Sequence, residues 1–199
     1  MKKVLDTITR AGLVEVEVSA RHVHLTDKDV ERLFGKGQVL HEKRPLSQKG
    51  QFLCEERVTL IGSKGKKERV AVLGPVRKAT QVELSVSDCV ALGVKAPLRE
   101  SGDVQGSAPL TLEGPAGSIS ITEGTIVAHN HIHVPEDVAQ MLQLKDKEHV
   151  SVKILSERPV TFDDVIIRVS PAFNFKMHID FDEANAASVR GFTLGKIIH

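Results

Sequence analysis

The chain predicts a mainly β protein with short α-helices, built as two small β-barrels capped by helices and related by internal duplication. Three observations carry this. Apolar and polar residues alternate over short runs bounded by Gly, Pro and polar turns, the period of half-buried strands. Stretches with helical spacing are few and sit at the ends of those runs. A strand–HxH–helix pattern also occurs twice. His22-Val23-His24-Leu25 precedes Val30, Leu33 and Phe34, and His131-Ile132-His133-Val134 precedes Val138, Met141 and Leu142. Repetition at that separation suggests two related subdomains.

The bulk numbers narrow the class. A chain of 199 residues is one domain or two small ones, and 41% apolar residues suffice for real cores. With no Trp or Tyr an aromatic platform for single-stranded nucleic acid is not expected, and a net charge of +1 gives no reason to expect DNA or an acidic membrane as partner. No apolar run reaches the length of a membrane span. Cys54 and Cys89 form no CxxC pair and read as reduced thiols of an intracellular protein.

In chain order, Met1 to Arg10 lacks the apolar core of a secretory signal and reads as a short helix with Val4, Leu5 and Ile8 on one face. Leu13 to Ser19 alternates as a strand, and Thr26 is placed to cap the helix that carries Val30, Leu33 and Phe34. Residues 35–56 read as loop. Arg57–Ile61 and Arg69–Leu73 flank a basic tip, Gly62 to Lys67, as a hairpin. A second hairpin joins Leu110–Leu112 to Ser118–Ile121. Ser87-Asp88 starts a short helix, Pro135 starts the one with Val138, and Asp182 caps one over residues 183–188. His149–Ile154 and Val165–Val169 are strands, and His149 itself is expected to be exposed.

Chemistry concentrates at few positions. Side chains two apart on a strand share a face, so each HxH pair can converge on one point, as metal ligands must. A half-exposed strand without function can look the same. Glu83 lies between Val82 and Leu84 on a strand-like run, faces away from both and needs water, a cation or a metal. Arg77 follows the Gly74-Pro75 turn at the lip of a sheet, where its fork can hold phosphate or carboxylate. His178 ends a strand and makes a fifth candidate ligand beside the two HxH pairs.

Four ordered stretches give a specific resemblance. They are Ser19 to Leu25 (SARHVHL), Gly74 to Ser85 (GPVRKATQVELS), Gly124 to His133 (GTIVAHNHIH) and His178 to Asn185 (HIDFDEAN). Together they resemble the PduL-type phosphate propanoyltransferases, the phosphotransacylases of bacterial microcompartments and their relatives. The resemblance runs from about residue 13 to the C-terminus. It implies reversible acyl transfer, propanoyl or acetyl, between coenzyme A and inorganic phosphate at a dinuclear zinc site where two barrels meet. On that basis His22, His24 and Glu83 hold one zinc, and His131, His133 and His178 the other. Arg77 binds phosphate, and Ser19, Ala20, Arg21 and Asn185 contact CoA, while Lys66, Lys67 or Arg69 are open candidates for the CoA phosphates.

The resemblance also implies that the first strand is swapped into the C-terminal barrel. Residues 1–10 are then a tail, residues 11–20 plus 129–199 one barrel, and residues 21–128 the other, with a hairpin inserted near 56–73. A homodimer is implied as well. Because only about a dozen residues precede the first strand, a free cytoplasmic enzyme or a truncated chain is expected, with a microcompartment lumen left open. One departure stands out. The family often has Arg before the second HxH, matching Arg21 before the first, but here that position is Asn130, preceded by His129. His129 shares the strand face of His131 and reads as a spare ligand or a supporting group.

Three rival functions fit some of the same residues. A zinc-dependent thioesterase or other hydrolase would use water in place of phosphate. A cupin-like barrel needs only one HxH, so the duplicated pair argues against it. A scaffold with structural zinc requires four ligands per ion, and these motifs supply about three each.

Overall fold

The computed structural model describes the backbone of residues 2–198 and the side chains of residues 6–198. In chain order the elements are α1 (Lys2–Arg10), β1 (Leu13–Val18), β2 (His22–His24), α2 (Asp27–Phe34), β3 (Glu42–Pro45), β4 (Phe52–Ile61) and β5 (Lys66–Gly74). Then come β6 (Gln81–Leu84), α3 (Val86–Leu92), β7 (Leu98–Arg99), β8 (Ala108–Gly114), β9 (Gly117–Ala128), β10 (His131–Val134) and α4 (Glu136–Leu142). The chain closes with β11 (His149–Leu155), β12 (Thr161–Val169), β13 (Lys176–Ile179), α5 (Phe181–Ala186) and β14 (Leu194–Ile198). The protein is mainly β with short helices, as the alternating pattern predicts.

The chain divides into two compact units. One comprises Met1–Ser19, Ser47–Lys49 and His129–His199. Its strands close a six-stranded barrel in the order β1-β13-β10-β12-β11-β14. Val14, Val16, Ile132, Val134, Val152, Ile167 and Met177 fill its core. The other unit comprises Ala20–Leu46 and Gly50–Ala128. Its ring runs β9-β6-β2-β5-β4-β8 and closes through the β8–β9 pair, with β3 added to β4 and β7 to β9. Val23, Leu25, Leu33, Leu60, Val72, Leu84 and Leu112 fill this second core.

The two rings have the same plan. β1 runs parallel to β13, β10 antiparallel to β13 and parallel to β12. β9 runs parallel to β6, β2 antiparallel to β6 and parallel to β5. The remaining pairs of both rings are antiparallel. In each ring the short central strand is the one that carries HxH. The strand before each HxH belongs to the opposite unit: β1 precedes β2 in the chain but is a stave of the C-terminal barrel.

Local chemistry explains the helix ends, including those the sequence pattern misjudges. Thr26 caps α2 as predicted, its hydroxyl accepting from Asp29 N at 3.2 Å, and buries Val30 and Leu33. α3 begins at Val86 because Ser85 accepts from Asp88 N at 3.2 Å. α5 is capped by Asp180, two residues before the predicted Asp182, because Asp180 and Glu183 form a reciprocal capping box. Pro135 takes the N-cap of α4 and stands just outside the helix. The stretch read as loop holds β3 and the start of β4. All four β3 side chains, Glu42 to Pro45, are exposed on a sheet edge, so no alternation marks them. In α1, Ile8 is half-buried, while the side chains of Val4 and Leu5 lie outside the described residues. None of the described helices is long and apolar enough to cross a membrane.

Two hairpin tips brace the helices that follow the HxH strand and β6. Lys64 N donates to Leu92 O at 3.0 Å and Ala116 N to Leu33 O at 2.9 Å. Both approaches depend on glycine. A Cβ on Gly62 would lie 2.0 Å from Leu92 O, and one on Gly114 would lie 2.4 Å from Leu33 O.

Candidate metal-binding clusters

In the unit built on β2, three predicted residues come together. The register pairs His22 with Glu83 across the β2–β6 ladder, and His24 follows on the same face. One donor atom from each of His22, His24 and Glu83 lies within 4.8 Å of the others, and all three residues are buried. His22 Nε2 is 3.4 Å from Glu83 Oε2. The other ring nitrogen, Nδ1, donates to Ala20 O at 2.8 Å, which fixes the tautomer and leaves Nε2 facing the cluster. His24 Nδ1 is buried with no hydrogen-bond partner.

Charge in this cluster is strongly ordered. Burial pushes the His24 pKa down to about 2, with the charges of His22 and Arg77 adding to it, so His24 stays neutral. Burial alone would raise the Glu83 pKa, but the charge and hydrogen bond of His22, with His24 and Ser101, hold it well below the usual carboxylate range. Burial opposes protonation of His22, yet Glu83 outweighs it and the net direction is upward. Glu83 and His22 thus each favour the charged form of the other.

Arg77 is tied to the same unit by main chain and side chain. Its N–H donates to Leu25 O at 2.8 Å. The loop beneath is pinned where Thr80 Oγ1 donates to Asp29 Oδ2 at 2.5 Å and accepts from Thr26 N at 3.2 Å. Arg77 Nη1 donates to Ser101 Oγ at 3.3 Å, Gln81 Nε2 reaches Ser101 Oγ at 2.9 Å, and Gln81 Nε2 donates to Glu83 Oε1 at 2.6 Å. Arg77 thus connects to Glu83 through two residues the motif reading does not single out.

In the other unit His131, His133 and His178 come together at equivalent places in the ring. The register pairs His131 with His178. Ring centroids are 4.7 Å apart for His131–His133, 4.8 Å for His133–His178 and 5.3 Å for His131–His178. His131 Nδ1 donates to His129 O at 2.8 Å, the same two-residue backward bond that His22 makes. His133 stacks on Phe173 at 4.0 Å, with the Arg168 guanidinium 5.9 Å from that ring. Gln48, on the short segment Ser47–Lys49, lies with its Nε2 3.4 Å from His178 Nε2.

His129 supports the cluster through its carbonyl, and its imidazole turns elsewhere. β9 ends at Ala128 and β10 begins at His131, so strand alternation does not extend to residue 129. Its Nε2 lies 3.2 Å from Asp164 Oδ2, and the exposed His149 meets Asp164 Oδ1 at 2.6 Å through Nδ1. Asn130 Nδ2 donates to Glu183 Oε1 at 2.6 Å. Arg21 makes the equivalent contact in the other unit, Nε to Asp88 Oδ2 at 2.7 Å, and Lys67 reaches Asp88 Oδ1 at 3.3 Å. Asp88 and Glu183 are both third residues of the helix after the ring strand that carries the third cluster member.

The remaining predicted residues are dispersed. Ser19 follows β1, its N–H donating to Ile179 O at 2.7 Å, and Asn185 is exposed on α5. Ala20 is exposed and Arg21 half-buried in the other unit. On the basic hairpin Lys66 pairs with Glu68, Lys67 with Asp88, and Arg69 is exposed. Gln81 was legible, since it shares the strand face of Glu83 two residues on. Gln48, Ser101, Phe173 and the partner acids carried no local signal.

Two six-stranded barrels, one of which gathers His22, His24 and Glu83 into a group that could hold a metal ion, define a β-barrel protein with a candidate metal site. The comparison with known proteins narrows this. A family model described as phosphate propanoyltransferase matches residues 15–190. A phosphate propanoyltransferase of Clostridioides difficile is 45% identical over 198 residues, covering 100% of this chain and 95% of the relative. One from Listeria monocytogenes is 47% identical, covering 98% of this chain and 93% of the relative. One from Leptotrichia buccalis is 51% identical, covering 90% and 84%. The chain belongs to the phosphate propanoyltransferase family, a family of acyltransferase enzymes.

Proposed function

We propose that the protein transfers a propanoyl or acetyl group between coenzyme A and inorganic phosphate, acyl-CoA plus phosphate giving acyl phosphate plus CoA, with one zinc ion held by each histidine cluster. The observation that carries the metal assignment is the His22–His24–Glu83 triad. Its donor atoms lie within 4.8 Å of one another, and the buried His24 Nδ1 has no hydrogen-bond partner. Imidazole and carboxylate donors fit a borderline divalent ion such as zinc, and three donors per ion leave an open position for substrate. His131, His133 and His178 form the second donor set. When bound, zinc supplies Lewis acidity toward the thioester carbonyl and a template for phosphate.

The chain's own residues do the rest. Arg77, braced by Ser101 and by its main-chain bond to Leu25, offers phosphate a charged fork. Phosphate oxygen attacks the thioester carbon, the C–S bond breaks, and the sulfur leaves as CoA thiolate, which is balanced by the proton that hydrogen phosphate gives up on forming the acyl phosphate. Ser19, Ala20, Arg21 and Asn185 contact CoA. Direct transfer follows because neither thiol is suited to carry the acyl group. Cys54 and Cys89 are buried, and burial with the Glu56 charge pushes the Cys54 thiol up to about 12.

The test is release of CoA thiol from propionyl-CoA and acetyl-CoA, with and without phosphate, alongside zinc content. Phosphate-dependent release with two zincs per chain supports the reading. Release without phosphate makes the protein a zinc-dependent thioesterase. Arg77→Ala should lower kcat/KM for phosphate by on the order of 10²- to 10³-fold and leave zinc content unchanged. Loss of zinc in that variant would assign Arg77 a structural role.

A further inference from the structure

In both clusters the third member is met by a glutamine whose amide is locked. Gln81 and Gln48 are 2% and 4% exposed. Gly102 N donates to Gln81 Oε1 at 2.8 Å, and Asn174 N donates to Gln48 Oε1 at 3.0 Å. A main-chain N–H can meet only the amide oxygen, so neither amide can be flipped end for end. The NH2 groups therefore face inward. Gln81 Nε2 reaches Glu83 Oε1 at 2.6 Å, and Gln48 Nε2 lies 3.4 Å from His178 Nε2 and 3.4 Å from Asn174 O. The two glutamines occupy unrelated places in the chain. Gln81 is on β6 itself, whereas Gln48 sits on the short segment Ser47–Lys49.

We propose that Gln81 is a positioning residue that prepares the third donor of its cluster for metal, an inference that rests on the zinc-binding reading above. Gln81 engages Glu83 Oε1 and so directs Oε2, the oxygen already 3.4 Å from His22 Nε2, toward the cluster as a single donor. Outer groups that fix a ligand's orientation in this way are worth 10- to 100-fold in metal affinity. Gln48 differs, because its N–H meets the same His178 nitrogen whose lone pair an ion would need, and so it competes with metal there.

The experiment replaces the Gln81 amide and measures zinc affinity cluster by cluster. Chelator competition is run on the full chain, with His22→Ala and His131→Ala identifying which ion belongs to which cluster. Gln81→Glu sets a carboxylate against Glu83. It should weaken the His22 cluster by about 10- to 100-fold and leave the His131 cluster unchanged, with a matching change in the visible spectrum of the cobalt-substituted protein. Gln81→Met removes the donor without adding charge and should act in the same direction, so the test survives if the glutamate variant fails to fold. Unchanged affinity, tighter binding, or equal loss at both clusters in the Gln81 variants overturns the proposal while wild-type binding of two zincs stands. A wild type that binds no zinc overturns the zinc reading and this inference together.

Discussion

The two clusters occupy equivalent places in two rings of the same plan, yet they are chemically unlike. One opposes His22 to a carboxylate, Glu83; the other opposes His131 to an imidazole, His178. One is backed by a charged contact, Arg21 and Lys67 on Asp88; the other by a neutral donor, Asn130, on Glu183. Around a divalent ion the first set leaves a net charge of about +1 and the second about +2. The two rings share the backward Nδ1 bond and the ladder register, while charge differs at the positions facing them. A shared backbone plan thus fixes where donors stand, and the residue types decide how electrophilic each ion would be.

The largest expected effect tests whether the clusters are separate sites. His22→Ala and His131→Ala should each remove one zinc per chain and lower phosphate-dependent CoA release by on the order of 10³-fold or more, since a catalytic ion supplies several kcal/mol of stabilisation. Metal analysis beside the thiol assay reads both quantities. If one substitution empties both clusters, the comparison of two independent donor sets fails. If His131→Ala lowers activity far less than His22→Ala, the second ion serves structure more than chemistry.

How much of this was legible in the chain depends on the range of the interactions. Both HxH pairs were readable because strand alternation acts between neighbours. Glu83 was readable because an acid between two buried apolar residues must have company. The mainly β class followed from the same alternation. What was not legible is what the ring closes from far away. Gln48 is separated by 130 positions from His178 and Arg21 by 67 from Asp88, and no local pattern marks either pair. Asn130 stood out as a departure from the Arg of the resemblance. The structure shows a neutral side chain that reaches Glu183, an acid one methylene longer than its counterpart Asp88. β3 escaped notice because its edge position leaves no buried face to pattern.

A smaller effect compares the supports. The Asp88 side chain is 3% exposed, while that of Arg21 is 35% exposed. Arg21→Ala leaves a buried carboxylate with Lys67 as its remaining cation, which should cost about 1–2 kcal/mol, below the range for a fully buried pair because Arg21 is partly solvated. Asn130→Ala should cost about 1 kcal/mol or less, the loss of one hydrogen bond to an acid that can take up a proton. Denaturant unfolding of the two variants gives the ordering. Equal losses would mean that the charge on Arg21 contributes nothing beyond the hydrogen bond.

The smallest and most discriminating effect is one of sign. Burial alone would raise the Asp88 pKa, but the hydrogen bonds and charges of Arg21 and Lys67 outweigh it and the net shift is downward. Its contribution to stability is therefore present above the ordinary carboxylate pKa and is lost as pH falls through the depressed folded value. For Glu183, burial and the Asp180 charge raise the pKa, against the opposing hydrogen bonds from Asp180 N and Asn130. Its contribution is full below the ordinary carboxylate pKa and declines as pH rises through the elevated folded value. Asn130→Arg should give Glu183 the kind of partner Asp88 has and reverse that slope. The variant should gain on wild type as pH is raised from about 4 to about 7, spanning the carboxylate range, by about 1 kcal/mol or less for a partly exposed pair. Thermal unfolding of both proteins at each pH measures the difference. A difference that stays flat with pH would show that Glu183 keeps one protonation state throughout. The contrast between the two supports would then be one of geometry alone.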